Sequence, residues 1–429
     1  METVVSGQSP APHRLRRRIY ILLSVYMFAY FAAQAMSVSL LSNWLKSTLN
    51  LTGEQTGVVF SANFIAALCA QPLYGFLSDK VGLRRHVLTF LALMVAGCGF
   101  FFAYAYEPLL KTNLVLGAGL GGAYLGVTFI AGSFALESFT DRVGRKYGFE
   151  YSRARMWGSL GFAFAAFFSG SLFNIDPHIN FYIASACALV LLAALAFFRL
   201  EATAGERLAS SSLKISDALG VLRLPKFWGF MVLILGVTNL YLVYDQQFPV
   251  YYASQFATPA LGREMFGRLN SAQIFIEAGM LFLAPFIVNV TGAKRGLLLA
   301  SAIMIVRIAG SGLVSGPAAI SCMKMLHSIE LPILAVSIFR YIAAHFESRL
   351  ASTLYLVGVS FGHSLGLALL SQIVGRGYDL FGFRHTYLLI AAGASVFWIA
   401  SHFALSRDPP RAPKDAAAPE DAVRPAALD

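Results

Sequence analysis

The segment "RLEATAGERLASSSLKISDALGVLRLPK" (199–226) is the longest polar stretch lying between apolar runs in this 429-residue chain. Six apolar runs precede it, at about 19–41, 56–77, 87–105, 110–137, 154–173 and 179–198. Six follow, at about 227–252, 268–289, 296–315, 318–341, 350–374 and 384–404. Most of them reach the roughly 20 apolar residues that an α-helix needs to cross a bilayer. Composition agrees. The chain is 57% hydrophobic and 13% charged, with a mean hydropathy of +0.65, whereas an ordinary soluble domain is about 25% charged. The expected fold class is an all-α polytopic membrane protein, with twelve transmembrane helices in two pseudo-symmetric six-helix bundles. The expected divisions are an arm at 1–18, a first bundle at 19–198, a central loop at 199–226, a second bundle at 227–405 and a disordered Pro/Ala-rich tail at 406–429.

The distribution of charge gives the orientation. "DKVGLRRH" (79–86), "DRVGRKYGFEYSRAR" (141–155), the central segment and "GAKRG" (292–296) are rich in Lys and Arg, and the alternate connections such as "NIDPHIN" (174–180) are poorer. The positive-inside rule puts the basic connections and both termini in the cytoplasm. The net charge of +11 is therefore read as membrane topology, not as affinity for nucleic acid. "RLRRR" (14–18) precedes an apolar run long enough to span, with no small-residue cleavage site, and reads as the flank of the first helix. The four cysteines all lie inside apolar runs with no paired spacing, so neither metal nor disulfide is implied. "GFLSDKVGLRR" (75–85) follows the second run, and a weaker echo, "IVNVTGAKRG" (287–296), follows the eighth. Corresponding positions in two six-helix halves suggest a duplicated transporter architecture. Small-residue stretches, "GAGLGGAYLG" (117–126) and "GSLGFAFAAFFSGS" (158–171), suit close helix packing.

Against this apolar background a few ionisable residues stand out. Asp245, Arg307, Lys324 and Glu330 fall at or near mid-span depths. Facing lipid, each would cost about 2.5–3.5 kcal/mol, on the order of 10 kcal/mol together, so they should face a polar interior and one another. In "MKMLHSIELP" (323–332), Lys324, His327 and Glu330 recur every third residue, which keeps them on one side of a helix, and Pro332 should loosen the ladder just beyond. An ion-pair lattice of purely structural purpose is the alternative reading. In the first half, Glu137 ends the fourth run and Arg155 opens the fifth. A guanidinium with a carboxylate beside it suits vicinal hydroxyls, and a salt bridge at the membrane edge is the plainer explanation. Phe162 follows Arg155 by two turns and is either a platform for a sugar ring or ordinary packing. Asn270, Gln273 and Glu277 form one polar stripe on the eighth run, and "YLVYDQQF" (241–248) adds Tyr241 and Gln247. No nucleotide-binding, zinc-ligand or hydrolase signature occurs, so the chain is not read as an enzyme and no cofactor is expected.

"GFLSDKVGLRR" resembles the loop 2/3 signature of the major facilitator superfamily, at Gly75, Asp79, Gly82, Arg84 and Arg85. "ESFTDRVGRKYGFEYSRARMWGSLGF" (137–162), "YDQQF" (244–248), "MIVRIAGS" (304–311) and "KMLHSIELP" (324–332) resemble, more specifically, the oligosaccharide:proton symporters, the family of lactose and sucrose permeases. The likeness runs from about residue 20 to 405, and "DPHINF" (176–181) and "LNSAQIFIEA" (269–278) lean to the sucrose permease branch. The resemblance implies a proton-coupled importer of a disaccharide, sucrose or a close analogue, acting by alternating access in a bacterial inner membrane. Such a protein would function as a monomer with a sugar and a proton as partners. Lactose, melibiose or raffinose transport, another solute, or a non-transporting sugar sensor are the alternatives. By the same resemblance Glu137 and Arg155 bind sugar, with Phe162, Asn270, Gln273 and Glu277 around them. His327 links sugar to proton, Glu330 carries the proton, Arg307 assists its release, Tyr241 belongs to the coupling network, and Asp245 with Lys324 form a structural pair. Departures are Phe162 where lactose permease has tryptophan, Ile274 where it has a carboxylate, and Leu242 with His363 where it has an Asp/Lys pair.

Overall fold

The computed structural model describes residues 13–81, 85–197, 220–347 and 354–408. Most of the central loop, the arm and the tail therefore lie outside the described residues, as do Gly82 and Arg84. The described chain is helical throughout. Its spans are α1 (Arg14–Ser47), α2 (Gly53–Val81), α3 (His86–Ala96 with Cys98–Thr112, bent by 44°), α4 (Leu114–Tyr147), α5 (Tyr151–Ile175), α6 (Pro177–Ala196), α7 (Pro225–Ala253), α8 (Pro259–Thr291), α9 (Ala293–Leu313) and α10 (Pro317–His345). A last helical stretch, Gly358–Ala404, is 47 residues long, more than twice what a span needs. It breaks at Gly382, whose φ of 74° only glycine adopts freely, and so forms α11 (358–381) and α12 (383–404). Twelve spans result among the described residues, matching the twelve apolar runs.

The ends follow local chemistry. Four spans open on proline, at Pro177, Pro225, Pro259 and Pro317, where a missing N–H breaks no helical bond. Asn113, Asp176 and Thr258 accept backbone N–H groups at the starts of α4, α6 and α8. The His178 N–H in that cap holds the Asp176 carboxyl below its usual range. Several helices outrun their apolar cores, because polar turns at the interface stay helical. α4 runs to Tyr147 and α8 begins at Pro259, not at the expected 137 and 268. Glu137 thus lies inside α4, not at its end.

α1 begins and α12 ends on the same face of the molecule, here the terminal face. On the opposite face the two halves meet backbone to backbone. A Cβ on Gly57 of α2 would lie 2.3 Å from the Ser371 carbonyl oxygen of α11, and one on Gly375 would lie 2.1 Å from that of Gly53. Between α5 and α8, a Cβ on Gly170 would lie 2.1 Å from the Arg263 carbonyl oxygen and one on Gly267 2.5 Å from that of Ala166. Polar bonds reinforce the seam. Asp379 accepts the N–H groups of Gly53 (2.7 Å) and Glu54 (2.8 Å), capping α2 from the other half. Gln247 Nε2 donates to Gly53 O (2.9 Å), Asn174 Nδ2 to Ala260 O (2.8 Å), and Arg263 Nε to Asn174 Oδ1 (2.9 Å). Toward the terminal face, Gln71 Nε2 to Ser364 Oγ at 3.4 Å is a longer and weaker link. The conformation is closed opposite the termini.

Because glycine alone permits this approach, Gly170→Trp should wedge the halves apart. Spin labels on cysteines at Ile175 and Leu261, in a background freed of native cysteines, should read a short distance that lengthens by several ångströms in the variant. An unaltered distance would mean that the seam does not hold the closed face.

Candidate functional site

α10 is not one uninterrupted helix. Its hydrogen-bond ladder tightens at Leu326, whose N–H reaches Met323 O (3.2 Å) and whose own carbonyl takes Ile329 N–H (3.0 Å), both three residues away. The expected break at Pro332 is therefore displaced by nearly two turns toward the start of the helix. Pro332 has no N–H for the carbonyl of Ser328, and Ser328 Oγ in turn donates to Met325 O at 2.7 Å, satisfying a carbonyl at the tightened turn. The break falls between Lys324 and His327, so the three polar residues lie on two helical pieces that meet.

Arg307, from the middle of α9, ties them together. It is fully buried, as is Glu330. Its Nη1 and Nη2 donate to the two oxygens of Asp245 on α7 at 3.0 and 3.3 Å, and Nη2 also reaches Glu330 Oε1 at 2.8 Å. Lys324 Nζ donates to Asp245 Oδ1 at 2.9 Å, and His327 Nδ1 lies 3.0 Å from Glu330 Oε1. The expected Asp245–Lys324 pair is thus present but not separate from the Arg307–Glu330 contact. Both belong to one network, with the Arg307 guanidinium 5.5 Å from the Tyr241 ring centre and 4.9 Å from that of Tyr244. Tyr241 also lies 5.6 Å from the His327 ring. Removing a single charge would leave others buried and uncompensated, a penalty of about 3–5 kcal/mol.

In the first half, Arg155 Nε donates to Glu137 Oε1 at 2.7 Å and its Nη1 to Ser159 Oγ at 3.2 Å. Side-chain exposures of 31% and 26% leave the pair wetted, with donors to spare. Phe31 of α1 supports the guanidinium face from 4.1 Å. Phe162 is half-buried against the core further along α5. On α8, Gln273 is buried and within hydrogen-bonding reach of Glu277, while Asn270 is half-buried nearby. Glu277 lies in electrostatic reach of His327 and Lys324 in its own half and of Arg155 in the other.

Several side chains were not foreseen in these roles. Gln247, taken from sequence as a donor to the site, instead binds Gly53 in the seam. Its neighbour Gln246 has a buried Nε2 with no partner among the described residues, and the same is true of Gln273 Oε1, Arg307 Nε and Glu330 Oε2. Phe31 and Tyr244 support the two guanidinium groups and carry no polar signature that sequence reading could catch. Of the loop signature, Arg85 donates to Leu195 O at 3.2 Å and Gly75 lies in open space. Asp79 belongs to α2, but its side chain, like Gly82 and Arg84, lies outside what the structure describes.

Residues 12–416 match the family model of the LacY proton/sugar symporter. The lactose permease of Klebsiella oxytoca is 38% identical over 84% of this chain and 88% of its own length. The sucrose permease of Escherichia coli is 36% identical over 91% and 95%, and the raffinose permease of the same organism 37% over 90% and 93%. Among solved structures, the nucleoside transporter NupG superposes with a TM-score of 0.75 over 90% of this chain and 98% of its own, at 15% identity, a likeness of fold alone. Twelve helical spans among the described residues and a match along nearly the whole sequence lead to one conclusion: the chain belongs to the LacY proton/sugar symporter family.

Proposed function

We propose that the protein imports a disaccharide, with sucrose or a close analogue as its preferred cargo, together with a proton. It works as a monomer in a bacterial inner membrane, with the terminal face cytoplasmic. The carrying observation is Glu330. Its carboxyl is fully buried, and Oε1 lies against both Arg307 and His327 while Oε2 has no partner among the described residues. An ionised oxygen buried without a donor costs more than a neutral one, which supports Oε2 as the atom that holds the proton. Charge counting supports this. Arg307 and Lys324 are balanced by Asp245 and Glu277 when Glu330 is neutral. When Glu330 ionises, the surplus negative charge is stabilised by Arg307 at 2.8 Å.

The cycle follows from these contacts. Facing outward, Glu330 carries the proton, and the sugar bridges Arg155 and Glu137 of one half to Glu277, Gln273 and His327 of the other. Binding draws the halves together, and the seam of glycines then closes behind the cargo. In the inward conformation the sugar leaves, and Arg307 and water favour the carboxylate, so the proton follows. One charge crossing 100 mV releases about 2.3 kcal/mol, enough for roughly 50-fold accumulation of a neutral sugar. The sucrose preference rests on the sucrose permease match over 95% of that protein and on Glu277, one turn beyond Ile274.

Glu330→Gln should keep counterflow in liposomes and lose uphill accumulation, which falls from roughly 50-fold to about unity, with no sugar-induced alkalinisation. Accumulation that persists would remove Glu330 from the proton step. Glu277→Gln, by leaving one positive charge in excess, should ease proton loss from Glu330 and move the pH at which sugar binding falls off to lower values. A panel of sucrose, lactose, melibiose, maltose and raffinose, each scored by sugar-induced pH change, should be led by sucrose. Binding without counterflow would point to a sensor, and counterflow without proton uptake to a different kind of transporter.

A further inference from the structure

His363 on α11 is a buried-side imidazole that the cycle above does not use. Its Nε2 lies 2.9 Å from Thr238 Oγ1 on α7. That hydroxyl spends its own proton on the Ile234 carbonyl at 2.5 Å, so it can only accept from the ring. The contact therefore fixes the tautomer: Nε2 carries the hydrogen and Nδ1 is a bare base. Among the described residues Nδ1 has no partner.

A cavity of about 140 Å³ lies beside it, lined by His363, Ser360, Tyr241, Leu331, Leu334 and Phe134 among others. That is room for several waters. It starts at the residue following Glu330 and at the tyrosine that faces His327, and it runs along α10 and α11 toward the terminal face. The Tyr241 and Ser360 hydroxyls have no protein partner among the described residues and offer waters places to bind. Facing His363, α7 presents Thr238 and Tyr241, α10 presents Leu331, Leu334 and Ala335, and α4 presents Phe134. Among the described residues no charged group shares this cavity lining, so the cation formed on the ring would be stabilised by cavity water and the Thr238 hydroxyl alone.

We propose that His363 is the second proton station of the transporter, receiving the proton that leaves Glu330 and handing it to the cytoplasm. This rests on the symport reading above. Glu330 is fully buried and does not itself line the cavity; when water reaches it during the cycle, Oε2 gives its proton to that water, and a water of the cavity passes one to His363 Nδ1. The imidazolium then holds hydrogens on both nitrogens, keeps its bond to Thr238, and releases the Nδ1 hydrogen to cytoplasmic water. Glu330 is left as the carboxylate paired with Arg307. One proton enters and one leaves.

The test uses full-length protein in liposomes, with sucrose or whichever panel sugar alkalinises the medium. His363→Gln should slow net proton-coupled uptake roughly tenfold or more, with a far smaller effect on counterflow, which needs no net proton release. Its rate should also lack the dependence on luminal pH that the relay should give the wild type. His363→Ala should recover uptake when imidazole is supplied in the lumen. Wild-type rates, an unaltered pH profile and no rescue would overturn the proposal while leaving symport intact, whereas absent proton uptake in the wild type would defeat the symport reading itself. If neither variant inserts, ring ¹⁵N spectroscopy of the wild type decides. Hydrogen on Nε2 at neutral pH, with Nδ1 gaining one as the pH falls, supports the relay, and hydrogen on Nδ1 alone refutes it.

Discussion

A guanidinium with no solvent exposure must be surrounded by acceptors, and Arg307 organises the second half of this protein on those terms. Taking such an ion out of water costs several kcal/mol unless geometry repays it. Asp245 from α7 and Glu330 from α10 supply that geometry, at 2.8 to 3.3 Å, and the rings of Tyr241 and Tyr244 cover the faces. Three helices are thereby held to one point deep in the membrane. Lys324 joins through Asp245, and His327 through Glu330. The network cannot gain or lose one proton without changing the balance at every member, which is the physical content of coupling in the proposed cycle.

The two ends of the molecule treat the meeting of the halves differently. Opposite the termini, glycines bring backbones within the space a single Cβ would fill, and Asp379 caps α2 across the boundary. Gln247, Asn174 and Arg263 add side-chain bonds to the same boundary, so opening it requires these bonds and the backbone contacts to be released together. The Arg155–Glu137 pair, partly exposed and with donors unused, and Glu277, in reach of both halves, lie where a cargo could be held by one half and then engaged by the other. The break in α10 at Leu326 falls beside His327 and Glu330, so bending there would reach the network directly.

Much of this was legible in the sequence, for physical reasons. Twelve spans could be counted because hydrocarbon tolerates so few polar residues, and for the same reason the ionisable residues that remain mark the interior. Asp245, Arg307, Lys324, His327 and Glu330 do converge. Details that depend on three-dimensional neighbours were not legible. Pro332 is visible in the chain, but where the ladder yields depends on Ser328 and Met325. Gln246 and Gln247 are indistinguishable as residues, and only the rotation of α7 sends one to the seam and leaves the other buried without a partner. Phe31 under Arg155 is one of 36 phenylalanines, with nothing in its spacing to single it out. Helix ends ran past the apolar runs because interfacial turns are polar yet helical.

The central claim is that Glu330 is the neutral member of the network and becomes charged during turnover. Infrared difference spectroscopy of purified protein addresses it directly, by comparing the protonated-carboxyl stretch in wild type and Glu330→Gln at neutral pH with and without sugar. The account predicts a buried, protonated carboxyl band in wild type that is missing in the variant and weakens as the pH is raised without sugar. A wild-type spectrum with no such band, or one that the substitution leaves intact, would contradict it.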